Sequence, residues 1–130
     1  RKVKTVRRHT RQFHVLVCDD DKACRLSVVE VLRREGLLTF EAEGGYEAIR
    51  LARKVPVDFG FFDYALPDLD GPSAVKQIRQ ELISFPFVLM SGQELVLEQL
   101  EAEAGPIAFL PKPLDLAAIR RIVQKFSSAP

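Results

Sequence analysis

From Phe13 onward the hydrophobic positions alternate between two periods. FHVLVC (13–18) is a short run rich in β-branched residues that ends in three acids, and it predicts a strand. Over residues 22–35 apolar side chains recur at helical spacing, at Ala23, Leu26, Val29 and Leu32 or at Val28, Val31 and Leu32, and Gly36 stops the helix. LLTFEA (37–42) predicts a second strand. Gly44-Gly45 breaks it, and Ala48, Leu51, Ala52 and Val55 then form a helical face that Pro56 closes. VDFGFF (57–62) is apolar almost throughout, which suits a strand buried on both faces. Pro72 opens a third helix that SAVKQIRQEL (73–82) continues. FPFVLM (85–90), a helix over QELVLEQLEA (93–102), the short strand IAFL (107–110) and a last helix over LDLAAIRRIVQKF (114–126) complete the pattern. That helix is expected to turn Leu116, Ile119, Ile122, Val123 and Phe126 inward.

Five strand–helix pairs in strict alternation imply an α/β domain, with a parallel sheet covered by helices on both faces. In such sheets ligands bind beyond the carboxyl ends of the strands. The first strand runs into Asp19, Asp20 and Asp21, the third into Asp63, the fourth into Ser91 and the fifth into Lys112. Carboxylates crowded at one edge repel one another and raise at least one pKa. A divalent cation relieves this, and Mg²⁺ suits a set of hard oxygen ligands that includes a phosphate. With the lysine as a second positive charge, the cluster is built to receive a dianionic phosphoryl group. One carboxylate can serve as nucleophile and form an acyl phosphate. Each element alone is weak, since an acidic pair is more often a turn or cap and a lone serine after a strand is usually an N-cap. Their placement on four separate strand ends is what makes the combination specific.

Composition narrows the picture. The 130 residues are 47% hydrophobic and 28% charged, which is ordinary for one folded domain. No apolar run approaches the roughly 18 residues of a membrane span, and no signal-peptide pattern opens the chain. Cys18 and Cys24 have neither metal-site nor disulfide-framework spacing, and they point to a reducing compartment. The net charge of +1 hides an asymmetry: residues 1–12 hold six of the 19 Lys and Arg and no acid. Residues 13–127 are therefore read as the domain, 1–12 as a basic linker or tail, and 128–130 as a short C-terminal tail. No aromatic residues interleave with the basic charge, so nucleic acid is not an expected partner.

The segments VLVCDDDKACR, PVDFGFFDYALPDLDG, FVLMSG and FLPKPLD resemble the receiver domain of two-component response regulators, over residues 13 to about 127. The resemblance implies a flavodoxin-like, doubly wound five-stranded sheet of order 2-1-3-4-5. It implies that Asp19 and Asp20 bind Mg²⁺, that Asp63 is the phosphoacceptor, and that Ala65 offers its backbone carbonyl to the metal. Ser91 would be the switch hydroxyl and Lys112, ahead of a cis peptide bond to Pro113, the phosphate-contacting lysine. Phe109 would be the aromatic switch residue, replacing the commoner Tyr. Asp21 is expected to begin the first helix, Cys18 to act as a small buried hydrophobe, and Gly60 to let a neighbouring helix approach closely. Gly92 would leave room for the phosphodonor.

The implied function is that of a phosphoacceptor. A phosphohistidine in a histidine kinase or a histidine phosphotransfer domain supplies the phosphoryl group, and the surface formed by the fourth helix, fifth strand and last helix changes in response. No enzyme activity is expected beyond the domain's own Mg²⁺-dependent phosphorylation and dephosphorylation. Further expected partners are other domains of a longer parent, such as a hybrid sensor kinase, and a second copy in a transient homodimer. The expected location is the cytoplasm, without direct membrane insertion. A competing reading is a phosphorylation-independent docking scaffold of the same fold. Enzymes of similar topology fit less well. A flavodoxin needs a Ser/Thr/Gly-rich loop where three acids stand, and a haloacid-dehalogenase-type phosphatase needs a second acid that Asp63-Tyr64-Ala65 lacks.

Overall fold

The structure is a computed structural model in which residues 12–93 and 105–127 are described. Most of the predicted helix over 93–102, the basic residues 1–11 and the residues 128–130 lie outside that set. The elements are β1 (His14–Cys18), α1 (Lys22–Arg34), β2 (Leu38–Ala42), α2 (Gly45–Lys54), β3 (Phe59–Asp63), α3 (Gly71–Ile78), β4 (Phe87–Ser91), β5 (Ala108–Pro111) and α4 (Leu116–Ser127). All five strands are parallel, in the order β2-β1-β3-β4-β5. This is the doubly wound sheet that the alternating pattern implies. β1 lies between β2 and β3, so the chain reverses its direction of travel across the sheet at the carboxyl end of β1, where such folds place their ligands.

The period-2 alternation of the strands sorts the core into two layers. Val15, Val17, Phe59, Phe61, Val88 and Met90 pack with Val28, Val29, Leu32, Ile119 and Val123 under α1 and α4. Leu16, Cys18, Phe62, Phe87 and Leu89 pack with Ala48, Ile49, Ala74 and Val75 under α2 and α3. β3 and β4 are buried at every residue, as their near-continuous apolar sequence requires.

Local sequence explains the boundaries. Asp21 caps α1, its carboxylate accepting from the Cys24 amide at 3.3 Å. The helix ends where Gly36 adopts φ 82°, with Leu37 N–H donating to Leu32 O and Gly36 N–H to Arg33 O, a paired C-terminal cap that favours glycine. The inward stripe of α1 is Arg25, Val28, Val29 and Leu32. Of the two candidate stripes, the one through Val28, Val31 and Leu32 is nearer the observed face, and Ala23 and Leu26 of the other are exposed, with Arg25 turned over the strand ends. Leu116, expected in the core, is likewise exposed on the first turn of α4, while Ile119 and Val123 are buried.

α3 is shorter than the run to Leu82 predicts. After Ile78, Gln80 and Glu81 N–H groups donate to carbonyls three residues back, and the Arg79 guanidinium donates to Phe85 O at 2.9 Å. The chain tightens there so that Phe85 can enter the core. Gly60 does not serve a helix contact as expected. A Cβ there would stand 2.7 Å from the Phe62 ring and 3.1 Å from that of Phe85, so the glycine makes room for two aromatic rings. Cys18 is fully buried among apolar residues, as expected, with Sγ 3.3 Å from Gly44 O.

Candidate functional site

The carboxyl ends of β1, β3, β4 and β5 bring the predicted residues to one edge of the sheet. Asp19 is fully buried, and Asp63 is nearly so as the last residue of β3. Asp20 is exposed at the mouth. One oxygen from each of Asp19, Asp20 and Asp63 can be chosen so that all three lie within 4.8 Å of one another. Lys112 Nζ sits 2.9 Å from Asp19 Oδ2 and 3.1 Å from Asp63 Oδ1. Lys112 follows β5, and its own amide donates to Ser91 O at 2.8 Å, which ties the lysine to the end of β4. The Lys112–Pro113 peptide is cis, as the resemblance implies.

Electrostatics follow from this crowding. Asp63 is raised from its ordinary value by burial and by the charges of Asp19 and Asp20, which together outweigh the opposing pull of Lys112. Burial alone would lower Lys112, but its hydrogen bonds to Asp19 and Asp63 reverse the effect and hold the ammonium strongly protonated. The donor set fits a hard divalent cation: three carboxylates converge, all their ligand atoms are oxygens, and one of the three opens to solvent.

The loop after Asp63 is tightly specified. Tyr64 N–H donates to Met90 O, and Gly71 N–H returns to Tyr64 O. At Gly71 a Cβ would run into the carbonyl oxygen of Asp63, so only glycine lets α3 start so close to β3. Asp70 caps α3 through the Ser73 amide at 2.8 Å and hydroxyl at 2.9 Å. Ala65 lies exposed on this loop, two residues beyond Asp63. Ser91 is buried at the end of β4, its Oγ accepting from Gln93 N–H at 2.9 Å. Phe109 lies in β5 opposite Leu89 and is half-buried against the core layer under α2 and α3. Gly92 is exposed, and a Cβ there would meet only that of Lys112 at 3.8 Å, so packing does not force the glycine.

A family model described as the response regulator receiver domain matches residues 15–124. The chain belongs to the receiver domain family of response regulators. Among its relatives, sporulation initiation phosphotransferase F of Bacillus subtilis is 29% identical over 113 residues, covering 86% of this chain and 91% of that protein. Sensor kinase CckA of Brucella abortus is 30% identical over 115 residues, covering 85% of this chain but 12% of that one. Against some relatives the chain thus spans nearly the whole length, and against others a small part. A receiver domain structure from Francisella, response regulator 1452, superposes with a TM-score of 0.78 at 27% identity, over 89% of this chain and 97% of that one. A CheY-like receiver protein from Methanospirillum hungatei gives 0.82 at 19% identity, over 90% and 94%, and supports the fold.

Two site-proximal residues of this receiver escape a reading from sequence. Arg25 is buried on α1, donating from Nη1 to Asp19 O and from Nε to Glu41 Oε1, each at 2.8 Å. Its signal was a cation in register with the apolar stripe of α1. Asp68, on the loop that carries Ala65, accepts from the Gly45 and Tyr46 amides at 2.8 and 3.1 Å and so caps α2 from 23 residues away. Nothing local in the sequence announces that pairing.

Proposed function

We propose that this receiver takes a phosphoryl group from a phosphohistidine onto Asp63. The observation that carries the reading is the convergence of Asp19, Asp20 and Asp63 on one point, with Lys112 Nζ bridging two of them. A carboxylate oxygen of Asp63 attacks phosphorus, the P–N bond to the donor imidazole breaks, and the ring leaves with the bonding pair. Asp19, Asp20 and Asp63, with the Ala65 carbonyl, would hold Mg²⁺. When bound, the ion supplies charge neutralisation at the phosphoryl oxygens. Lys112 is placed to exchange its contact with Asp63 for one with the incoming phosphoryl group, keeping a positive charge where negative charge accumulates.

The new dianion beside Ser91 and Lys112 is the proposed trigger of a switch. The Ser91 hydroxyl turns from its Gln93 contact to donate to the phosphoryl group, and Phe109 moves into the space vacated. One charge-assisted hydrogen bond, worth roughly 1.5–3 kcal/mol, shifts the balance of two pre-existing arrangements about ten- to a hundredfold. The proposed partners are a histidine kinase or a histidine phosphotransfer domain. Incubation with acetyl phosphate and Mg²⁺, read by intact mass, tests the chemistry. The wild type gains one phosphoryl group, and chelation or Asp63→Asn removes the gain. Unchanged labelling of Asp63→Asn contradicts the assignment.

A further inference from the structure

We infer that Arg25 is a positioning residue for the cation site, acting through the main chain of Asp19. This rests on the proposed reading of the site and names a part of it that the acidic cluster alone does not reveal. Asp19 is held at every polar group. Its N–H donates to Ala42 O at 3.1 Å. Its carboxylate accepts from Asp21 N–H at 3.0 Å on one oxygen and from Lys112 at 2.9 Å on the other. Its carbonyl accepts from Arg25 Nη1 at 2.8 Å.

Arg25 is in turn held by β2. Its Nε donates to Glu41 at 2.8 Å, and Nη2 stands 3.8 Å from Glu43. Glu41 pairs in register with Val17 of β1, so its side chain rises on the α1 face of the sheet. The guanidinium therefore spans from the β1–α1 loop to β2. Together with the Asp19–Ala42 bond it forms a second tie between the acidic loop and that strand. A planar fork can make both hydrogen bonds at fixed angles, whereas a lysine ammonium on a flexible stem cannot reproduce that geometry. The side chain is only 8% exposed, so these partners replace water around it.

Charge alone would give such a residue the opposite effect. A cation next to a cation site weakens binding by repulsion, so an arginine kept there for charge would loosen Mg²⁺. One that holds Asp19 in place tightens it. Arg25→Lys separates the two, because it keeps the charge and loses the fork. Mg²⁺ binding by isothermal titration calorimetry, without any phosphodonor, gives the readout. The dissociation constant of Arg25→Lys should rise roughly tenfold, as for other residues that orient a metal ligand from behind. Asp19 would still carry its carboxylate and its contact with Lys112. Glu41→Asp keeps the charge and leaves Arg25 on Asp19 but draws back its anchor, and should give a smaller rise in the same direction. It also serves if Arg25→Lys fails to fold. An affinity within about twofold of wild type in a folded Arg25→Lys variant overturns the role, since losing such an orienting contact ordinarily costs far more; where that variant does not fold, an unchanged affinity in Glu41→Asp overturns it. A wild type that binds Mg²⁺ yet accepts no phosphoryl group would contradict the proposed function and leave this inference standing.

Discussion

The two edges of the sheet are built from opposite materials. At the amino ends of the strands Phe13, Phe59 and Phe126 pack ring against ring, with Phe59 and Phe126 centroids 4.1 Å apart and Phe13 edge-on to Phe126 at 5.6 Å. At the carboxyl ends, a comparable depth is occupied by Asp19, Asp63, Arg25 and Ser91. One edge buries apolar surface at little electrostatic cost. The other holds carboxylates that repel one another and are tolerated only because Lys112 and Arg25 stand among them. The difference teaches that this receiver draws stability from the edge that does no chemistry, and holds the charges of the other edge at some cost to folding.

Three substitutions would break or sharpen that contrast. The largest stability effect belongs to the aromatic edge. Phe59→Ala removes a fully buried ring and should cost about 3–5 kcal/mol in chemical denaturation. Phosphorylation of the fraction that stays folded should persist, because no residue of the site touches that ring cluster. Next comes Lys112→Met, which leaves Asp19 and Asp63 without their shared cation. The lysine side chain is 20% exposed, so the expected loss is about 2–3 kcal/mol, somewhat below that for a fully buried pair. Added Mg²⁺ should restore part of it, whereas Mg²⁺ should do nothing specific for Phe59→Ala.

The smallest effect belongs to Asp68→Asn, at the exposed cap of α2. Hydrogen bonds from the Gly45 and Tyr46 amides hold the Asp68 carboxylate below its ordinary 3.8. A depressed acid stabilises the fold above its unfolded value and loses that contribution as the pH falls through the folded one. The gap in thermal midpoint between wild type and Asp68→Asn should therefore be modest near neutrality and should close below pH 3.8. Asp63 carries the opposite sign. Its raised pKa means that its ionisation disfavours the fold as the pH climbs from 3.8 through the raised value.

How far the sequence could be read follows from which interactions are local. Asp19, Asp20, Asp63, Ser91 and Lys112 were legible because each follows a short apolar run, and parallel topology sends every strand end to one edge. The cap Asp21 stands directly before its helix and was similarly open to reading. The rotation of α1 was not, because two apolar stripes competed and the choice between them depended on Arg25 meeting Asp19 and Glu41 across the fold. Gly60 was misread for the same reason: the space above it is filled by Phe62 and Phe85, and Phe85 arrives from a turn that the helical pattern of α3 had overrun. The Asp68 cap joins residues 23 apart through two loops, beyond the reach of any periodicity.

The central claim is that Asp63 itself carries the phosphoryl group, and the most direct measurement locates the bond. Borohydride reduces an aspartyl acyl phosphate to homoserine, releasing phosphate, and leaves a free carboxylate untouched. After treatment with acetyl phosphate and Mg²⁺ followed by borohydride, peptide mass spectrometry should find homoserine at position 63, and unchanged aspartate at 19, 20 and 68. Homoserine at Asp19 or Asp20 with intact aspartate at 63, or no homoserine in a protein that binds Mg²⁺, would contradict the account.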